Sequence, residues 1–288
     1  MTNIIDGKLI GNKIKEGVAH KVAILRDTKG IQPCLNVILV GQNLASLIYI
    51  RSKERACKEC GIKFIKNELS EYVSEEDLLN LIDKKNKDKN VHGILVQLPL
   101  PKHIEVKKVI NAIDFHKDVD GFHPMNVGKL SIGELEGKDA GILPCTAKGI
   151  IKLIKSVLGE NFGGKKAIVI GRSNIVGKPT SYLLLRENCT VKMAHSRTEN
   201  LKEECLWADI VVVAVGQAGL ITADMVKSGA IVLDVGMNKV DGKWVGDVDF
   251  DNVIEVAGHI SPVPGGVGQM TVACLMENVY EACERLSK

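Results

Sequence analysis

Ser46, Tyr49 and Lys53 stand three and then four residues apart in "SLIYIRSK", the spacing that stacks side chains along one stripe of a helix. A hydroxyl, a phenol and an ammonium therefore point the same way and could grip a polar ligand together. The charge around them mostly explains itself. Glu54 precedes Lys58 by four residues, and Arg55 precedes Glu59 by four, the separation at which helical side chains pair weakly. Lys53 lacks such a partner, since its neighbours at three and four residues are Tyr49, Ile50, Ala56 and Cys57. Its bland reading is a solvated surface lysine. A second stretch suits phosphate. In "AIVIGRSNIVGKPTSYLLL" a buried strand at 167–170 runs into Gly171, and a helix is due near Gly177 to Pro179. Such a turn offers backbone N–H groups and the positive end of a helix to an anion.

The glycine spacing departs from GxGxxG. Ser173 replaces the second glycine and Gly177 closes a longer loop, so a tight turn without ligand stays open on spacing alone. The strand that follows decides more. NAD-binding folds usually end this strand in an acid that holds both ribose hydroxyls, whereas here it ends in His195, Ser196, Arg197 and Thr198, with no acid before Glu199. Hydroxyls and a guanidinium suit a 2′-phosphate, and Arg172 from the first turn could close on it as well. NADP is thus preferred over NAD. The alternative is that 196–198 merely caps a helix beginning near Glu199, and one segment can do both.

Bulk properties narrow the class. A chain of 288 residues, 45% hydrophobic and 25% charged, is long enough for one large or two modest domains and too apolar for disorder. A formal charge of +3 and 4% aromatics leave neither the basic patch nor the stacking platforms of a nucleic-acid binder. No apolar run reaches membrane-spanning length, and the N-terminus lacks a secretion signal, so a cytosolic protein is expected. Eight cysteines are then read as reduced thiols. Cys57 and Cys60 form a lone CxxC without the further ligands zinc needs, and no HExxH is present, so no metal is expected.

Short β-branched runs alternate with helices. Strands are expected at 35–41, 62–67 and 92–97, separated by the helix of Tyr49 and Lys53 and by one starting at Ser74, where Ser74 and Asp77 approximate a capping box. From 119 to 146 glycine and proline break the rhythm, marking an inter-domain connection. It resumes with a helix near 147–158 and strands at 166–171, 190–195, 209–216 and 230–236. A last helix from about Gly268 carries an apolar stripe through Val272, Leu275, Met276 and Val279. The pattern predicts an α/β protein of two domains, each a mainly parallel sheet flanked by helices, the second Rossmann-like, with a cleft between. Domain bounds of 1–120, joined by helix 268–288, and 147–267 follow, with 121–146 as the connection.

Seven segments then converge: SxxYxxxK at 46–53, "VQLPLP" at 96–101, "KDVDGFH" at 117–123, "PCTAKG" at 144–149, "GRSNIVGKP" at 171–179, "GDVDF" at 246–250 and "SPVPGGVGQMT" at 261–271. In this order they resemble the methylenetetrahydrofolate dehydrogenase/methenyltetrahydrofolate cyclohydrolase family, from about residue 3 to 286. The resemblance implies oxidation of 5,10-methylenetetrahydrofolate with NADP+ and hydrolysis of the resulting methenyl cation to 10-formyltetrahydrofolate, by a homodimer, and the length suits the two-activity form without a synthetase domain. Lys53 matches the family lysine that moves protons. An ammonium beside a bound methenyl cation, partly buried, is pushed towards neutrality. Tyr49 would stack on the substrate, with Ser46 on the same stripe. Gln97, beside Leu98 at a strand end, would accept a hydrogen bond from Lys53.

Asp120 matches the aspartate that receives the pterin N–H groups, although "DVDG" alone also reads as a capped turn, the role expected of Asp118. Pro262, Val263, Pro264, Gly265 and Gly266 are implied pocket residues. Gly171, Arg172, Ser173, Ile175, Ser196, Arg197 and Met237 are implied at the cofactor, Met237 standing where isoleucine is common. Ala147, Gln269 and Ser261 replace a family proline, proline and threonine. None removes a titratable group, but the lost prolines would leave the hinge and the last helix's start less stiff. Two other classes stay open on the residues: an NADP dehydrogenase of a small acid, and a non-catalytic nucleotide sensor.

Overall fold

Seven consecutive buried residues, Cys34–Val40, need apolar cover on both faces, which a parallel sheet between helices provides. The computed structural model describes residues 3–287, apart from the side chains at 44 and 45. In chain order it contains β1 (Asn3–Ile4), α1 (Gly7–Lys29), β2 (Cys34–Val40), α2 (Leu44–Glu59), β3 (Lys63–Leu69), α3 (Glu75–Lys87), β4 (Gly93–Val96), α4 (Val106–Ala112), α5 (Pro124–Ile132) and α6 (Cys145–Leu158). There follow β5 (Lys166–Ile170), α7 (Gly177–Arg186), β6 (Thr190–Ala194), α8 (Leu201–Leu206), β7 (Ile210–Val213), β8 (Ile231–Asp234), β9 (Asn238–Val240), β10 (Lys243–Val245), α9 (Phe250–Val253), β11 (His259–Ile260) and α10 (Val267–Leu286). The chain divides into two units: Asn12–Cys145 with the last helix from Val272 onward, and the segment up to Gly11 with Thr146–Thr271.

The first unit holds a parallel three-stranded sheet in the order β3-β2-β4. Alternation along β2 sorts its side chains. Leu35, Val37 and Leu39 join Val18, Ile50, Leu275 and Val279 in one core, while Cys34, Ile38 and Val40 join Leu78, Ile82 and Val109 in another. Ser74 caps α3 by accepting the Asp77 N–H at 3.0 Å, with three acids in the first turn and three lysines in the last. Arg55 and Glu59 meet at 3.8 Å, and Glu59 is also held by Lys15.

The second unit holds a six-stranded sheet in the order β1-β11-β8-β7-β5-β6, every strand pairing in it parallel. From β5 the chain places β6 on one side and β7 on the other, so the strand order reverses between β5 and β7. A β9–β10 hairpin lies outside this sheet, turned at Asp241 and Gly242 with φ of 50° and 80°, the pair of left-handed residues a two-residue hairpin requires.

Two expected boundaries differ. Residues 3–11 belong with the second unit, because β1 extends its sheet by pairing Asn3 with His259 and Ile4 with Ile260. A two-residue strand has no periodicity to announce it. The stretch at 121–145 is packed into the first unit instead of connecting the two. A methyl on Gly121 would overlap the backbone at Leu143 and Pro144, so the chain returns against itself there, and that close approach is what its glycines serve. Ala147 and Gln269 lie in the first turns of α6 and α10, which form without the prolines.

Candidate active and cofactor sites

In the first unit the strand order also reverses, between β2 and β4, and open α/β sheets bind ligands outside the carboxyl ends of strands at such a point. Gln97 follows β4 there, its N–H donating to Ile38 of β2 at 2.9 Å. Its amide is oriented by donating Nε2–H to the Leu98 carbonyl at 2.8 Å, which leaves Oε1 to accept from Lys53 Nζ at 2.9 Å. Lys53 is half-buried on α2; one turn earlier Tyr49 is exposed, and Ser46 is buried. Partial desolvation pushes the Tyr49 phenol up, so it stays protonated at neutral pH. Leu98 is half-buried, and the next residue, Pro99, lines a cavity of about 750 Å³ together with Gly41, Gln42 and Glu71.

Asp120 lies within electrostatic reach of Lys53. Burial pushes its carboxyl up to about 6, with the Lys53 ammonium pulling against the shift and the Asp118 carboxylate adding to it. Besides Asp118, its surroundings are held by residues the sequence did not single out. Lys117, 5% exposed, donates to the Asn86 and Asp88 carbonyls at 2.7 and 2.8 Å, capping the end of α3. Asp118 accepts from the His123 N–H and the Asn126 side chain at 2.7 and 2.8 Å, the turn role expected of it. Asn126 also accepts from the Ile142 N–H at 3.0 Å, and Asn278 of α10 donates to the Val119 carbonyl at 2.9 Å. Neither asparagine belongs to a residue type that signals chemistry at its spacing. Only the "HPMN" and "MEN" contexts could have hinted at them.

The Asp120 shift has a consequence for stability. Its folded value lies above the ordinary 3.8, so protonation favours the unliganded fold. That contribution is complete below about pH 4 and is lost as pH rises through about 6. Asp120→Asn is therefore expected to make the unliganded protein more stable than wild type at pH 8, by roughly 2–3 kcal/mol, with no difference near pH 3.5 in urea melts. A gap of the opposite sign at pH 8 would contradict the buried-carboxylate geometry.

In the second unit, Gly171 ends β5 with φ of 120°. A methyl there would overlap the Ala214 carbonyl beyond β7, and one on Gly177 would overlap the Gly171 carbonyl. Ser173 accepts from the Val176 and Gly177 N–H groups at 3.1 and 3.3 Å, closing the start of α7. Arg172 and Ile175 are exposed on this turn. Ile170 pairs with Ala194, so Arg172 and Ser196 each lie two residues past paired positions on adjacent strands. The turn after β6 is closed by Thr198 accepting the His195 N–H at 2.9 Å. Helix α8 begins later, at Leu201, with no side-chain cap, so 196–198 does not cap it. Among the described residues the Arg172 and Arg197 guanidinium groups and the Ser196 hydroxyl take no protein partner, and all three are exposed. Met237 is 43% exposed. Pro262 and Val263 are half-buried, Pro264 exposed, Gly265 half-buried and Gly266 buried, where a methyl would overlap the Pro262 carbonyl. These five belong to the second unit, unlike the Lys53 group.

The eight cysteines are buried free thiols. Burial raises Cys57 and takes Cys60 to about 11, so both stay protonated at neutral pH. Among the described residues no cluster of three or more His, Cys, Asp or Glu could hold a metal, and no helix is long and apolar enough to cross a membrane.

Comparison with known proteins adds independent evidence. Residues 5–120 match the model of the tetrahydrofolate dehydrogenase/cyclohydrolase catalytic domain, and 144–287 that of its NAD(P)-binding domain. The chain is 52% identical over 286 residues to the bifunctional protein FolD of Agathobacter rectalis, covering 99% of this chain and 100% of the relative. The crystal structure of the bifunctional FolD methylenetetrahydrofolate dehydrogenase/cyclohydrolase from Campylobacter jejuni aligns with a TM-score of 0.94 at 48% identity, covering 99% of each chain. That of the Trypanosoma brucei enzyme, complexed with NADP and an inhibitor, aligns at 0.92 and 36% identity, covering 100% of this chain and 99% of that one. With both domains matched and half the residues shared along the whole length, this chain belongs to the tetrahydrofolate dehydrogenase/cyclohydrolase family.

Proposed function

We propose that this chain oxidises 5,10-methylenetetrahydrofolate to 5,10-methenyltetrahydrofolate with NADP+, and hydrolyses that product to 10-formyltetrahydrofolate, in one-carbon metabolism. The observation that carries the reading is the Lys53–Gln97 hydrogen bond of 2.9 Å at the strand-order reversal, with Asp120 in the same electrostatic field. Asp120 would accept the pterin N–H groups, and Tyr49 would lie against the substrate with Ser46 and Leu98 nearby. Pro262, Val263, Pro264, Gly265 and Gly266 are proposed as further pocket residues.

Bound NADP+ supplies the hydride acceptor, and the protein's share of that step is orientation. Gly171, Arg172, Ser173, Ile175, Ser196, Arg197 and Met237 are proposed to hold it, the partnerless guanidinium and hydroxyl groups suiting a 2′-phosphate. Hydrolysis asks for proton transfer. Lys53 would take a proton from water as its oxygen adds to the methenyl carbon. It then returns a proton to the pterin nitrogen as that C–N bond breaks, and one proton is released overall. Gln97 keeps the amine aimed throughout.

The chain's family membership leaves no observation in favour of a small-acid dehydrogenase or a sensor. A spectrophotometric assay with methylenetetrahydrofolate tests the proposal: with NADP+ the methenyl absorbance band rises and then decays, and with NAD+ it rises far more slowly. Absence of the band with either nucleotide would sink it. A homodimer, implied by the same resemblance, is checked by light scattering, and a cytosolic location by fractionation.

A further inference from the structure

Two sequence segments, "DVGMN" at 234–238 and "GDVDF" at 246–250, are joined by a pair of buried aspartates. Asp234, 2% exposed, accepts the Gly236 and Asp247 N–H groups on Oδ1 and the Val248 N–H on Oδ2, all at 2.9 Å. Asp247, fully buried, accepts from Asn238 Nδ2 at 2.9 Å on Oδ1. Its Oδ2 accepts the Val215 and Gly216 N–H groups at 2.7 and 2.9 Å. Both glycines make room for this knot, since a methyl at Gly236 would overlap Asp247 and one at Gly246 would overlap Asp234. A buried carboxylate is costly unless hydrogen-bonded, and here each is fully engaged by donors.

Where the knot ends matters. Val215 and Gly216 follow β7 at the strand-order reversal, directly after Ala214, whose carbonyl lies against Gly171 of the phosphate turn. The other arm holds the turn on which Met237 stands. We infer that Asp247 is a positioning residue for the dinucleotide: it fixes the 214–216 loop that forms one lip of the crevice between β5 and β7. It touches no reacting atom, and it acts through the backbone it anchors. This inference rests on the proposed NADP-dependent oxidation.

The two activities separate such a role from a structural one. Asp247→Ala is expected to raise the KM for NADP+ by about tenfold or more, the scale of buried donors left unpaired. Hydrolysis of supplied methenyltetrahydrofolate, which uses no nicotinamide, stays within about twofold of wild type. Asp247→Asn keeps an oxygen for both backbone N–H groups and restores the KM to within about threefold. Should Asp247→Ala not fold, Asn238→Ala loosens the same carboxylate and raises the KM by about threefold without altering hydrolysis. An unchanged KM in a folded variant overturns the inference. So does an equal loss of both activities at matched folded fraction, or an Asn variant no better than Ala. Failure of the wild-type enzyme to reduce NADP+ is a different result, one that removes the functional reading itself.

Discussion

Lys53→Met is expected to slow hydrolysis of 5,10-methenyltetrahydrofolate by at least about a hundredfold, within the range a positioned general acid–base group supplies. Methionine keeps the length and apolar stem of lysine but can neither take a proton from water nor return one to nitrogen. The fold should tolerate the change, since the half-buried ammonium gives up one side-chain hydrogen bond, to Gln97, worth about 1–3 kcal/mol for a charged donor. NADP affinity should be unchanged, because the groups proposed to hold the nucleotide belong to the other unit. Decay of the methenyl band, followed after adding the purified cation, measures the step directly. A variant that hydrolyses it at the wild-type rate removes Lys53 from the mechanism.

Arg172→Ala should weaken NADP+ binding by about 1.5–3 kcal/mol, the scale of a hydrogen bond between charged groups, or roughly tenfold to a hundredfold in affinity. The guanidinium is exposed and takes no partner among the described residues, so its removal forfeits no internal contact. Stability should accordingly stay within about 0.5 kcal/mol of wild type. NAD+, which lacks the 2′-phosphate, should lose much less. Titrating both nucleotides against the variant gives the comparison, and equal losses would contradict assignment of Arg172 to that phosphate. Arg197, on the neighbouring turn, predicts a similar but smaller bias.

Some of this architecture was legible because a local pattern carried it. Strands such as β2 and β5 announced themselves as β-branched runs, since burial on both faces demands apolar side chains at consecutive positions. The capped start of α3 was readable from Ser74 and Asp77, whose chemistry is spent within one turn. The stripe through Ser46, Tyr49 and Lys53 followed from helical spacing alone. What escaped was set by partners far along the chain. β1 exists as a strand only because β11 offers it an edge, and the glycines from 121 onward look like a linker until Leu143 and Pro144 are placed against them. Asp234 and Asp247 are ordinary acids in one dimension, and their thirteen-residue separation obeys no helical or strand period.

By itself, then, the order of residues determined the alternation of strands and helices, the glycine turn at Gly171 and the amine at position 53. Those properties depend on side-chain type and on neighbours within a turn or two. Tertiary structure alone decided that Gln97 Oε1 meets that amine, that burial raises the Asp120 carboxyl to about 6, and that a buried aspartate anchors the loop beside Gly171. Distances and desolvation arise only when segments remote in sequence are brought together, and no local spacing encodes them.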